Sequence, residues 1–188
     1  MNQFVLGFLN LVAEDARRIK EEAHAEDDEF EPALFMGWPG EEPPTHVNLK
    51  AIMDHPTDAI WVVANGMTIL DQERPIWAIS VADSFLSEDI LPDDVVRKLS
   101  HRGSLAEARA AGDPAVLESV VLVVCAPGEL GILNMVYTSS PDGIVWRDAI
   151  GEVFITDWDN PEGDMYDALR ALLEGGDIRG WTISARDL

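Results

Sequence analysis

The chain has one cysteine, Cys125, among its 188 residues. No intramolecular disulfide can form, and a Cys-x-x-Cys redox or zinc motif is excluded. A lone thiol suits a reducing compartment, so the expected setting is cytoplasmic. Long apolar runs are missing too: no stretch approaches the roughly 20 apolar residues of a membrane span. Residues 1–12 are apolar but lack a basic leader and a small-residue cleavage site, so they do not read as a signal peptide. Lysine is scarce, with only Lys20, Lys50 and Lys98. Arginine supplies the rest of the positive charge, as GC-rich coding would. Positive charge is itself in deficit: 13 Lys and Arg stand against 35 Asp and Glu, a net charge of −22. Such a protein gains nothing from counterion release on nucleic acid and repels phosphate. Direct nucleic-acid binding and adhesion to anionic membranes are therefore not expected. A basic protein partner is, and so is the solubility that net charge confers. Finally, no Walker loop, no Gly-x-Ser-x-Gly and no Gly-x-Gly-x-x-Gly occurs, which removes several large enzyme classes and leaves dispersed sites.

The apolar content is 47%, too high for a disordered acidic tail. A chain of this length buries roughly 70% of its unfolded surface and needs no staple. One domain spanning residues 1–188 is expected.

Residues 3–25 read as an amphipathic helix, with Val5, Phe8, Leu9, Val12, Ala16, Ile19 and Ala23 at helical spacing. It runs into the acidic stretch Glu26-Asp27-Asp28-Glu29. Residues 32–38 read as a short strand. Residues 46–50 read as a second strand or as the lead into a helix. Residues 57–72 carry two signals. Asn65-Gly66 is a hairpin dipeptide, while Ile60, Val63, Ala64, Met67 and Leu70 make a helical stripe after Pro56. The longer period favours the helix. Residues 76–82 read as a buried strand. Residues 86–116 read as a helical excursion, with a capping box at Ser104 and Glu107 and a further turn near 114–119. Residues 119–157 read as an antiparallel β-meander around the apolar run Val120–Cys125. A helix over 162–174 closes at Gly175-Gly176, and 177–188 is expected to pack in extended form. The order predicts an α+β (or mixed α/β) domain, with helices packed on a single sheet.

Candidate sites are few. Asp83 follows the strand 76–82, where functional groups collect beyond the carboxyl ends of strands in α/β sheets. With His101 and Asp157 it makes the candidate catalytic set, since an Asp–His pair within hydrogen-bond reach does acid–base chemistry. Asp157, Asp159 and Asp164 are the candidate metal ligands. They resemble a calcium loop but lack its glycine at position six and glutamate at position twelve, and helix capping accounts for two of them. Glu21-x-x-His24 has the helical spacing of di-iron proteins but occurs once, so a solvated face is expected there. Arg97, Lys98, Arg102 and Arg109 form a local basic cluster, expected to pair with neighbouring acids. Cys125 ends a valine run and reads as a buried, inert thiol. The six tryptophans are dispersed, as packing residues are. No cofactor is expected.

Ala82-Asp83-Ser84-Phe85, the run Gly112-Asp113-Pro114-Ala115-Val116-Leu117-Glu118 and the valine strand together resemble an uncharacterised protein family of actinobacteria and their phages. The likeness spans residues 32–157. It implies a source, has no activity attached and carries over no functional residue.

The expected function is a protein-binding or regulatory role without catalysis, with an anionic decoy of nucleic acid as one version. The alternative is a small enzyme or metal-dependent hydrolase built on the dispersed Asp and His residues. The charge itself is concentrated. Residues 14–42 hold 11 acids and 3 bases, and residues 142–177 hold 10 acids and 2 bases. A decoy requires both blocks on one surface.

Overall fold

Apolar spacing fixes the first element. Val5, Leu9, Val12 and Ala16 are buried along one stripe of helix α1 (Gln3–Glu26). On the outer face Arg18 donates to Glu22 at 2.9 Å and also reaches Asp15, exposed pairs worth a few tenths of a kcal/mol. The helix stops at Asp27, whose φ of 55° is left-handed. The N–H groups of Asp28 and Asp27 then bond back to the carbonyls of Ala23 and His24, at 2.8 and 3.3 Å. This is a Schellman closure.

The computed structural model describes residues 3–40, 43–87, 116–147, 154–155 and 164–175. After α1 come β1 (Ala33–Gly37), β2 (Thr45–Asn48), α2 (Pro56–Ile69), β3 (Trp77–Ser87), β4 (Val116–Ala126), β5 (Glu129–Ser140), β6 (Gly143–Trp146), β7 (Phe154–Ile155) and α3 (Asp164–Glu174). The strands form one sheet in the order β2-β1-β3-β4-β5-β6, with every pair antiparallel. The fold is α+β, as the element order implied.

Strand alternation sorts the core into two layers. Phe35, Trp77, Ile79, Val81, Val120 and Leu122 pack with α1. Leu34, Met36, Ala78, Val123, Cys125 and Leu130 pack with α2 and α3 on the other face. Central strand β4 is thus apolar on both sides, as its valine run indicated. On the α1 side the Phe8 and Trp77 rings stack at 4.7 Å. Gly37 makes room for that indole: a Cβ there would lie 2.3 Å from Trp77 Cε2.

On the other side one arginine joins two helices. Arg74 Nη1 donates to the carbonyls of Ala171 and Leu172 in the last turn of α3, both at 3.1 Å, and to Ala64 of α2 at 3.3 Å. Its Nη2 reaches the Thr68 hydroxyl. The cation adds a donor to carbonyls near the C-terminal ends of both helices, where Ala171 also accepts the Gly175 N–H and Ala64 the Thr68 hydroxyl, and it complements the helix dipole. Gly175, at φ 74°, ends α3 in the left-handed conformation that a glycine adopts without strain.

The helical period correctly decided residues 57–72, which lie in and just after α2. Other boundaries differ from expectation. The strand read as 76–82 continues to Ser87, and β4 begins at Val116, so the ends of the 86–116 segment are strand. The turn expected near 114–119 is strand over its described part, because Val116 to Ser119 pair with Ser87 to Ser84. A ladder of backbone bonds outweighs a single isolated helical turn. The remainder of the excursion, the Ser104–Glu107 capping box, the basic cluster 97–109 and the tail 177–188 lie outside the described residues. The meander also ends differently. β7 does not extend it past β6 but pairs with Gly131 and Ile132 of β5, while β6 pairs with the other half of the same strand.

Candidate functional site

Beyond Val81 the α1-facing side of the sheet turns polar. Cross-strand register places Asp83 of β3, Glu118 of β4, and Tyr137 and Ser139 of β5 near one another. The facing stripe of α1 turns polar past Ala16, at Arg17, Lys20, Glu21 and His24. The two meet as a polar seam between helix and sheet.

Lys20 is its centre, with a side chain only 15% exposed. Its Nζ donates to Asp83 Oδ2 at 2.5 Å. The ammonium lies 5.2 Å from the ring centre of Tyr137 and 5.4 Å from that of Phe30, within cation–π range. The Tyr137 hydroxyl donates to Asp83 Oδ1 at 3.4 Å. Burial raises the Asp83 carboxyl above its ordinary value. The hydrogen bond and charge of Lys20 and the Tyr137 hydroxyl pull it down, and the Glu118 charge adds to the rise. A perturbed carboxyl beside a lysine is a pattern that catalytic sites and structural ion pairs share.

The rest of the seam is tied in the same way. Ser139 Oγ donates to Glu118 Oε2 at 2.7 Å. Trp146 Nε1 donates to Glu21 Oε1 at 2.7 Å, and its ring meets Tyr137 edge-on at 5.2 Å. Arg17 lies over the Trp146 ring at 5.5 Å. His24 Nε2 donates to the Ser140 carbonyl at 2.8 Å. Past these contacts, Glu21, His24 and Asp142 line an open cleft of about 560 Å³ between the end of α1 and the β5–β6 turn.

The sequence-predicted residues fare differently. Asp83 does not lie beyond a strand end. It sits inside β3, in an antiparallel sheet that has no shared carboxyl edge, because β3 runs on to pair with the start of β4. Glu21 and His24 are not a merely solvated pair, since each bonds a different group of the β5–β6 hairpin. Asp164 is exposed in the first turn of α3, where its charge complements the helix N-terminus. That helix packs on the opposite face of the sheet from α1, so Asp164 and Asp83 do not share a site. His101, Asp157 and Asp159 lie outside the described residues. Among the described residues, no three His, Cys, Asp or Glu side chains converge as a metal site. Cys125 is fully buried, and burial pushes its thiol up to about 12, as an inert core residue requires.

Lys20 and Tyr137 were missed as site residues. The signal for Lys20 was present: it continues the stripe Leu9, Val12, Ala16 at i+4, so a cation was due to face the core. Its partner, 63 residues away, had no local signature.

Compared with protein-family models, curated proteins and solved structures, the chain matches none.

Proposed function

We propose that the chain acts in the cytoplasm by binding a basic protein, with no catalysis of its own. The observation behind this reading is the surface at the end of α1. Glu26, Asp27, Asp28, Glu29 and Glu31 are all exposed around the buried Phe30, and Lys50 pairs with one of them, Glu29. Such a concentration steers and holds a partner of opposite charge. No helix among the described residues is long and apolar enough to cross a membrane, so the reading invokes no membrane-spanning helix there.

A protein partner fits better than nucleic-acid mimicry. The acids of α1 and 26–31 lie on one side of the sheet, while Asp164, Asp167 and Glu174 belong to α3 on the other. The hydrolase alternative has less support, because Lys20 and Tyr137 engage both oxygens of Asp83. An actinobacterial or phage source remains part of the proposal and rests on the sequence resemblance alone.

Affinity capture from the native host tests the reading. The expected result is a basic protein retained at low salt and released at high salt, as charge screening dictates. Retention of no basic protein, or a turnover abolished by Asp83→Asn, would overturn it.

A further inference from the structure

An apolar groove of about 100 Å³ opens between α1 and the β2 edge of the sheet. Ala16 and Ile19 form its helix wall, Phe30 and Phe35 are among its other apolar walls, and His46 and Asn48 of β2 stand at its polar rim. For scale, an engineered apolar cavity of about 150 Å³ accepts benzene, so this groove suits one apolar side chain. Strand β2 pairs with β1 and with no other described strand. The Leu49 N–H bonds the Pro32 carbonyl at 2.9 Å. By antiparallel alternation, Leu49 and Val47 direct their backbone groups to β1, while His46 and Asn48 direct theirs outward. The two residues whose side chains line the groove therefore also offer a backbone edge that no described strand pairs. The acidic run 26–31 borders the same place: Phe30 and Glu31 line the groove, and Asn48 Nδ2 donates to Glu31.

We infer that this edge takes an extended segment of a basic protein, which adds as a strand beside β2, seats an apolar side chain between Ile19 and Phe35, and sets Lys or Arg against Glu29 and Glu31. Backbone bonds to His46 and Asn48 supply affinity, and the groove and the carboxylates supply selectivity. The inference rests on the protein-binding reading and names its surface. A second copy of this chain is the wrong occupant, because it would bring −22 against −22.

The probe is a pool of short peptides alternating Lys or Arg with Val, Ile, Leu or Phe, with an Asp/Glu counterpart pool as control. Binding to the full chain is followed by backbone amide shifts. The basic pool binds and moves the amides of His46 and Asn48, and the acidic pool does not. His46→Pro removes the outward N–H at an edge position that tolerates proline, and weakens binding about tenfold or more with little change in the unfolding midpoint. Ala16→Leu fills the groove from the helix side and weakens binding independently of the edge. Three results overturn the inference: no binding of the basic pool, equal binding by both variants and the parent chain, or a dimer that His46→Pro dissolves. If the captured basic protein is retained equally by His46→Pro, this surface is wrong and the protein-binding reading stands. If the parent chain retains none, that reading falls as well.

Discussion

Lys20 Nζ lies 2.5 Å from Asp83 Oδ2, and this ion pair joins helix α1 to the middle of strand β3. Its geometry is that of a clasp. The lysine is mostly buried, two aromatic rings flank it, and the carboxylate also accepts a tyrosine hydroxyl.

Asp83 has its proton affinity raised in the fold, so the folded chain holds that proton more tightly than the unfolded chain. Stability linked to this group is therefore greatest at acid pH and falls as pH rises from the ordinary carboxylate value through the folded one. Lys20→Met removes the two largest influences that oppose the rise and moves the window further up. The expected loss at neutral pH is about 1–2 kcal/mol, discounted for partial exposure, and it shrinks in acid. Urea unfolding across pH, with the Asp83 carboxyl shift followed by NMR, checks this. An equal loss at every pH would contradict it.

Arg74 ties α2 to the end of α3 through backbone carbonyls. Arg74→Met removes the charged donor from Leu172 and leaves Ala171 and Ala64 with only their local donors, Gly175 N–H and the Thr68 hydroxyl, at a cost of about 1–2 kcal/mol in denaturant unfolding. Arg74→Lys recovers only part, because an ammonium lacks the planar fork. Full recovery by lysine would show that charge alone matters.

Gly37 and Trp77 are coupled by contact. Gly37→Ala drives a methyl into the indole and is expected to cost about 1–3 kcal/mol, with a change in tryptophan fluorescence. Trp77→Phe removes the atoms struck, so the double variant loses less than the two single losses added. Strict additivity in a thermal-melt cycle would refute the contact.

Much of the layering was legible from local pattern. The α1 stripe announces one buried face, and the nearly continuous apolar runs of β1, β4 and the first half of β3 announce strands covered on both faces, because side-chain period follows directly from backbone geometry. The far half of β3 was not legible. Asp83-Ser84 looks like a strand exit until Ser119 and Val120 are known to pair beside it. The site was less readable still. Residue types could mark Asp83 as a carboxylate at the end of an apolar run, and Lys20 as a cation on an apolar stripe, but nothing local joined them.

The amino-acid order alone thus settled the helices α1, α2 and α3, the cores of the strands β1, β3 and β4, the inward stripe of α1, and the net negative charge. Those properties depend on neighbours a few residues apart. Strand order and helix placement settled the rest: that Lys20 meets Asp83, that Arg74 reaches α3, that β7 returns to β5, and that the acids of α1 and of α3 lie on opposite sides of the sheet. These relations span tens of residues, and only the packing of one layer on another brings their members within bonding distance. Within the −22 charge, a number for the chain as a whole, the fold singles out one acidic stretch, 26–31, beside a strand that pairs on one side only among the described strands.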